Sequence, residues 1–341
     1  MKRERIERIK STKLQNPATQ TDAQSAAGMR RGGFAKNSDE ELGYFFGFPK
    51  GTYSEVLAEL RRTRVSSCKT SSIPLADFWR PENLEKIQEL FAPHLPGFDP
   101  ASALKFFEFP TEAVRDGKPI GSPSMTDIMV IAPGIQMAVE GKFTEYVKGR
   151  EQTIGEWLEA KMAKEVDGHW TPASREAHLR NVLRAWFGYI RQAGCTGLAD
   201  DDAFFAECMD VSYQFLHRAA SACCKADIAN GAVPVLVYQL FFDANSPVHI
   251  AKMEQFKADL RRWAGTLKLR NMKFLIVSVP ITNAADVERR FQGVRGRVFD
   301  AIRDEAVYKF DFEGVDVDRF NIIWYNEKAT SRRSTNHGEL Q

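Results

Sequence analysis

The sequence lacks an apolar run long enough to cross a membrane. The longest run, "VPVLVYQLFF" at residues 233–242, is about half the length of a transmembrane helix. The N-terminal segment is basic and lacks the apolar stretch of a secretory signal. We therefore expect a cytoplasmic protein with no membrane partner.

Cysteine is scarce and shows no recognisable spacing. The five cysteines include no C-x-x-C pair, which argues against a common zinc or thioredoxin-type site. We expect reduced thiols that lie mostly in the core. The sequence also lacks G-x-S-x-G, Walker A, H-E-x-x-H and dinucleotide-binding motifs, so the corresponding enzyme classes have no signature here.

The chain lacks a strong excess of either charge, with a formal net charge of +2. A nucleic-acid partner would therefore be held by local basic patches. Arg180, Arg184 and Arg191 lie within about 40° of one another on a helical wheel. This arrangement fits phosphate contacts and equally fits arginines that extend along the edge of a core. A second basic stretch, "RRFQGVRGRVF", covers residues 289–299.

The composition of the 341 residues, 43% of them hydrophobic, suits one large folded domain. Residues 1–40 are expected to form a flexible basic tail, since nine lysines and arginines occur within residues 1–36. Residues 41–326 are predicted to form a single α/β domain with its core at about 81–280, and residues 327–341 a polar tail. A homo-oligomer is compatible with the sequence, which fixes no number of chains.

Hydrophobic periodicity predicts the order of helices and strands. Helices are expected at 53–62, 82–95, 151–164, 174–192, 200–226, 248–264 and 295–303, and strands at 103–109, 126–132, 135–144, 233–242, 272–280 and 319–325. This order is typical of a mixed central β-sheet flanked by helices.

The stretch "TDIMVIAPGIQMAVEGKFTEY", residues 126–146, places acidic residues in apolar strands. Side chains alternate along a strand, so Glu140 and Lys142 share one face. The turn at Pro133 and Gly134 pairs this strand with the preceding one. Asp127, near the start of the preceding strand, then lies opposite Glu140, near the end of this strand. The hairpin therefore joins two carboxylates and one ammonium group.

Two carboxylates and a neighbouring main-chain carbonyl, that of Gly141, form an oxygen-rich site suited to Mg²⁺ or Mn²⁺. A cation would also compensate the cost of burying Asp127 and Glu140. A bound metal ion lowers the pKa of its water and neutralises charge on a phosphodiester, and an adjacent lysine stabilises the transition state. The pattern thus favours phosphodiester hydrolysis.

These residues, Thr126 and Asp127 with the tripeptide Glu140, Gly141 and Lys142, resemble the motif of the PD-(D/E)XK nuclease superfamily. The resemblance covers roughly residues 81–280, although Thr126 stands where the motif has proline. It implies a restriction-endonuclease-like core of α-β-β-β-α-β with helical insertions, Asp127 and Glu140 as metal ligands, and Lys142 as the catalytic lysine.

Some members of the superfamily add an acid from the helix before the first strand and a glutamine from a helix after the third. By that resemblance Glu89, or alternatively Glu85, would supply the acid, and Gln214 the glutamine. His217 and Arg218 share the helical face of Gln214. Glu89 is also typical of a solvated helix surface.

We therefore expect a Mg²⁺- or Mn²⁺-dependent nuclease that cleaves DNA, in restriction, repair or anti-phage defence. The first alternative is a nucleic-acid-binding or assembly protein that keeps the fold without cleavage. The second is an unrelated α/β enzyme with its active site elsewhere, in which Glu140 and Lys142 form a purely structural ion pair. Another E-x-K, from Glu159 to Lys161, falls in a helical pattern where the two side chains diverge, so it cannot form a comparable site.

Overall fold

The computed structural model describes residues 43–46, 52–62, 68–164, 170–224, 226, 230–294, 298, 300–301 and 305–320. The two predicted tails, 1–40 and 327–341, lie outside the described residues. So do most of the predicted helix at 295–303 and the last residues of the run at 319–325.

The strands and helices of the described residues follow the predicted order closely. The strands are β1 (Tyr44–Phe46), β2 (Leu104–Thr111), β3 (Val114–Arg115), β4 (Lys118–Pro119), β5 (Ser124–Ala132), β6 (Ile135–Lys142), β7 (Val233–Asp243), β8 (Lys273–Ile281) and β9 (Asp316–Phe320). The helices are α1 (Tyr53–Arg62), α2 (Ser72–Phe78), α3 (Leu84–Phe91), α4 (Glu145–Lys148), α5 (Ile154–Met162), α6 (Pro172–Gln192), α7 (Asp201–Glu207), α8 (Tyr213–Cys223), α9 (Pro247–Thr266) and α10 (Ala284–Phe291).

Within the described residues one sheet has seven strands in the order β1-β2-β5-β6-β7-β8-β9. Strands β2, β5 and β6 form an antiparallel meander, whereas β6, β7 and β8 run parallel. Strands β1 and β9 close the two edges, parallel to β2 and antiparallel to β8. The α/β class and the mixed sheet flanked by helices are therefore confirmed.

Side-chain alternation along the strands divides the core between the two faces of the sheet. On one face Ala138 and Leu236 pack with helices α5 to α9. On the other face Val139 and Val237 pack with helices α1, α2, α3 and α10. Lys142 and Glu140 follow Ala138 at two-residue spacing, so the sheet directs both towards the first face, where α8 lies.

The predicted helix at 200–226 is wrong in one respect, because the structure divides it into α7 and α8. Ser212 has a non-helical backbone, and its Oγ accepts a hydrogen bond from the main-chain nitrogen of Phe215 at 3.1 Å, which starts a new helix. The intervening segment pairs with the start of α5, for example through Ile154 N and Val211 O at 2.8 Å. This break sets the start of α8 beside the candidate site.

The described part of the chain contains no helix long and apolar enough to span a membrane. The predicted burial of cysteines is confirmed, since four of the five are buried and Cys224 is partly buried.

Candidate active site

Strand register places three carboxylates in one row across the meander. Asp127 follows the last register pair of β5 with β6, Ile128 with Val139, so continuing that register by one residue sets it opposite Glu140. Glu108 lies between two register pairs of β2 with β5, at the position that faces Asp127. The next strand, β7, continues the row with Tyr238, the register partner of Glu140. The sheet therefore concentrates negative charge near one end of its central strands.

Glu140 is buried, with 2% of its surface exposed, and accepts hydrogen bonds on both carboxylate oxygens. Its Oε2 accepts from Arg218 Nε, and its Oε1 accepts from Gln214 Nε2 and lies 3.2 Å from Lys142 Nζ. Burial alone would raise the pKa of Glu140, but Arg218 and Lys142 hold it below its ordinary value. Glu140 is therefore ionised and compensated by two cations.

Lys142 is also buried and lies among three oxygen atoms. Its Nζ donates to Gln214 Oε1 at 2.6 Å, and it lies 2.9 Å from Glu151 Oε1 and 3.2 Å from Glu140 Oε1. Burial would lower the pKa of Lys142, but Glu151 and Glu140 outweigh burial and raise it above its ordinary value. The lysine keeps its proton, so it acts as a fixed positive charge and not as a base.

Asp127 and Glu108 are the less compensated acids of the row. Asp127 Oδ2 accepts a hydrogen bond from the main-chain nitrogen of Gly141 at 2.9 Å. Loss of hydration and the nearby Glu140 raise the pKa of Asp127 well above its ordinary value, and loss of hydration likewise raises the pKa of Glu108. Neither carboxylate forms an ion pair with any residue that the structure describes.

Arg218 reaches the site from α8 and links it to the start of β5. Its Nη1 donates to Ser124 Oγ at 2.7 Å and lies 3.3 Å from His217 Nδ1. Because a guanidinium group only donates, His217 Nδ1 is an acceptor and the imidazole is neutral. Burial and the neighbouring Arg218 lower the pKa of His217 well below its ordinary value, in agreement with this assignment.

Gly141 occupies the middle of the E-G-K tripeptide for a packing reason. Its side of β6 faces α2, and a Cβ atom at this position would lie 3.2 Å from Leu75 Cδ2 and 3.3 Å from Ser71 Cβ. A larger residue would push α2 away from the strand. Glycine therefore lets α2 pack closely against the face of β6 opposite Glu140 and Lys142.

The structure brings together four of the residues singled out in the sequence, namely Asp127, Glu140, Lys142 and Gln214. It does not bring Glu89 to them. Glu89 is exposed on α3, which packs through its buried side chains on the opposite face of the sheet. The third carboxylate of the row is therefore Glu108 on β2, and not an acid of the preceding helix.

The three arginines of α6 bind acidic and aromatic side chains of the same chain. Arg180 pairs with Glu176 at 2.7 Å, while Arg184 and Arg191 lie 3.6 and 3.4 Å from Asp201. Arg180 and Arg184 also lie over the ring of Phe205, at 4.9 and 5.2 Å from its centroid. These contacts fix α7 against α6, so the described geometry favours a structural role.

The basic stretch at 289–299 lies partly outside the described residues. Of the described part, Arg289 lies 3.3 Å from Asp286 and Arg290 lies 3.3 Å from Glu305. Both arginines are largely exposed.

Sequence reasoning missed Glu108, the ion pair of Arg218 with Glu140, and Glu151. Glu108 lies in the predicted strand "ALKFFEF", where a lone acid in an apolar run is the same signal that identified Asp127. Its φ of +50° is rare outside glycine and marks a local kink that no sequence pattern shows. The contact of Glu151 depends on the break before α8, which the sequence pattern did not predict.

The model of one protein family, described as "Domain of unknown function (DUF6946)", matches residues 51–282. The chain belongs to the DUF6946 family. No curated protein and no solved structure matches the chain. The region matched by the DUF6946 model extends from α1 to β8, so it includes every residue of the candidate site.

Proposed function

We propose that this DUF6946 protein is a Mg²⁺- or Mn²⁺-dependent nuclease that hydrolyses phosphodiester bonds of DNA. The observation that carries the proposal is the convergence of Asp127, Glu140, Lys142 and Gln214. The antiparallel strands β2, β5 and β6 and the parallel pairing of β7 with β6 support the core that the resemblance to PD-(D/E)XK nucleases implies. Restriction, repair and anti-phage defence are the settings in which we would look for its substrate.

Charge and donor type support a divalent cation at this site. Asp127 and Glu108 form no ion pair with a described residue, and burial raises the pKa of both. A divalent cation beside them would favour their ionised forms. Asp127, Glu140 and the carbonyl of Gly141 would hold it, with Glu108 nearby. Among the residues that the structure describes, no three acidic, histidine or cysteine side chains are grouped to hold a metal ion. Mg²⁺ is nevertheless commonly bound through one or two carboxylates, with water and substrate phosphates completing its coordination.

When bound, such a cation lowers the pKa of its water and neutralises charge that develops on the phosphodiester. The chain's own residues supply the remaining functions. Lys142 keeps its proton and would stabilise negative charge on a phosphate oxygen that reaches it. Gln214 bonds to both Lys142 and Glu140, so it fixes the ammonium relative to the carboxylate. Arg218 fixes Glu140 from the other side.

A specific observation favours a second function, a nucleic-acid-binding or assembly protein without cleavage. Arg218 and Lys142 already compensate Glu140, so a structural role for Glu140 needs no metal ion. In a binding protein without cleavage, the guanidinium of Arg218 would be the permanent counter-ion of Glu140.

A cleavage assay separates the two functions. Purified protein is incubated with supercoiled, linear and single-stranded DNA in Mg²⁺, in Mn²⁺ and in EDTA. Cleavage in either metal but not in EDTA supports the nuclease, and the preferred substrate indicates whether free ends are needed. Binding of DNA without cleavage under every condition supports the second function.

A further inference from the structure

Oxygen atoms of three neighbouring side chains surround the ammonium group of Lys142. An ammonium group carries three N–H bonds, and three oxygens, from Glu140, Gln214 and Glu151, lie within 3.2 Å of its nitrogen. A phosphate oxygen can therefore approach Lys142 only if one of these three partners is displaced.

Glu151 is the partner most readily displaced. Glu140 and Gln214 belong to β6 and α8 and are also bonded to each other. Glu151 precedes α5 in a segment outside helices and strands, and 12% of its side chain is exposed, against 3% for Glu140. Its Oε2 accepts a hydrogen bond from Ser212 Oγ at the start of α8.

A cavity of about 230 Å³ opens beside this contact. Lys142, Gln214, Glu151, Arg150 and Glu145 are among its lining residues, whereas Glu140 is not. The carboxylate of Glu145 is occupied by main-chain and side-chain donors of the neighbouring segments. Glu151 is thus the carboxylate that bridges Lys142 and the cavity.

We infer that Glu151 takes the place of a substrate phosphate on Lys142, so that this cavity is a phosphate-binding subsite with a built-in competitor. The inference rests on the proposed function. Carboxylate and phosphate oxygens accept the same charge-assisted hydrogen bonds from an ammonium group, so one can replace the other. The exchange breaks the contact of Lys142 with Glu151 and forms a contact with the phosphate, while Glu140 and Gln214 stay in place.

The test measures binding of a fluorescein-labelled single-stranded deoxyoligonucleotide in EDTA by fluorescence anisotropy. Glu151→Gln removes the competing charge and is expected to tighten binding by about tenfold, which corresponds to about 1.4 kcal/mol. Inorganic phosphate should displace the oligonucleotide at lower concentration from this variant. Glu151→Asp keeps the charge but is one methylene shorter, and should show part of the gain. Both variants are first checked for a cooperative thermal transition.

The matched control is Glu159→Gln, which removes the same charge from an exposed position on α5. It should change affinity by less than about twofold, because exposed charges are strongly screened. Adding Lys142→Ala to Glu151→Gln should abolish the gain. No gain in either Glu151 variant, a gain equal to that of Glu159→Gln, or a gain that survives without Lys142 overturns the inference.

The assay contains neither metal nor cleavage, so its result is independent of nuclease activity. Metal-dependent cleavage together with unchanged binding by Glu151→Gln would overturn this inference alone. Tighter binding through Lys142 without cleavage would support the phosphate subsite and count against the nuclease.

Discussion

Replacing Arg218 by methionine tests whether the site contains a buried ion pair. Methionine keeps much of the side-chain volume but removes the guanidinium that contacts Glu140. Arg218 and Glu140 are 5% and 2% exposed, and removing one partner of a buried pair costs about 3–5 kcal/mol. Lys142 remains beside the carboxylate, but the bond to Ser124 is lost as well. We expect the free energy of unfolding in EDTA to fall by about 3–5 kcal/mol.

Urea unfolding followed by circular dichroism measures this loss. The matched control is Arg261→Met, which removes an ion pair with Asp318 whose side chains are 40% and 26% exposed. Pairs of this kind contribute about 1 kcal/mol or less. Combining Arg218→Met with Glu140→Gln should recover part of the stability, because the unpaired buried charge is then removed.

The same experiment in excess Mg²⁺ examines competition between Arg218 and a metal ion. A ligand that binds the folded state stabilises it according to its affinity. Mg²⁺ should therefore stabilise Arg218→Met more than the unchanged protein, since Glu140 has lost its competing cation. A loss no greater than that of Arg261→Met would refute the buried pair, and equal responses to Mg²⁺ would refute the competition.

Three further predictions concern other parts of the structure. Lys142→Ala should lower the single-turnover cleavage rate by a factor on the order of 10², whereas Lys161→Ala, on α5, should change it by less than about twofold; similar rates in both would contradict the site. Arg180→Ala combined with Arg184→Ala should lower the melting temperature while leaving the salt dependence of DNA binding unchanged, because both arginines are occupied within the chain. A log–log slope reduced by about 0.9 per contact would instead assign them to phosphates. Burial raises the pKa of Asp77 from 3.8 to about 7, so the unfolded state ionises first and stability should fall as pH rises across that interval. Urea unfolding of Asp77→Asn should lack this part of the pH dependence, and identical pH profiles would show that Asp77 does not titrate in this way.

Local pattern predicted most of the fold because each strand and helix carries its own signal. The helix predicted at 174–192 is an example, because its apolar residues recur at helical spacing and are all buried in α6, namely Leu179, Val182, Leu183, Trp186, Phe187 and Ile190. The alternation along β6 likewise predicted that Glu140 and Lys142 share a face. Such patterns arise because each helix or strand turns one face to the core and the other to water, so they are visible in the sequence itself.

The contacts between different helices and strands were harder to predict from the sequence. The pairing of Arg218 with Glu140 depends on how α8 crosses the sheet, and the contact of Glu151 with Lys142 depends on the helix break before Ser212. Helix α2 was missed because all its residues from Ile73 to Phe78 are buried, so it shows no polar face and no amphipathic period. Tertiary packing decides these features, and a single sequence does not show it.

Cleavage of linear DNA as a function of Mg²⁺ concentration, by the unchanged protein and by Asp127→Asn and Glu140→Gln, tests the central claim most directly. Each substitution preserves side-chain shape while removing a charge that would hold the cation. The account predicts cleavage that rises with Mg²⁺ in the unchanged protein, and none in either folded variant. Full cleavage by either variant, or cleavage by the unchanged protein in EDTA, would contradict the account.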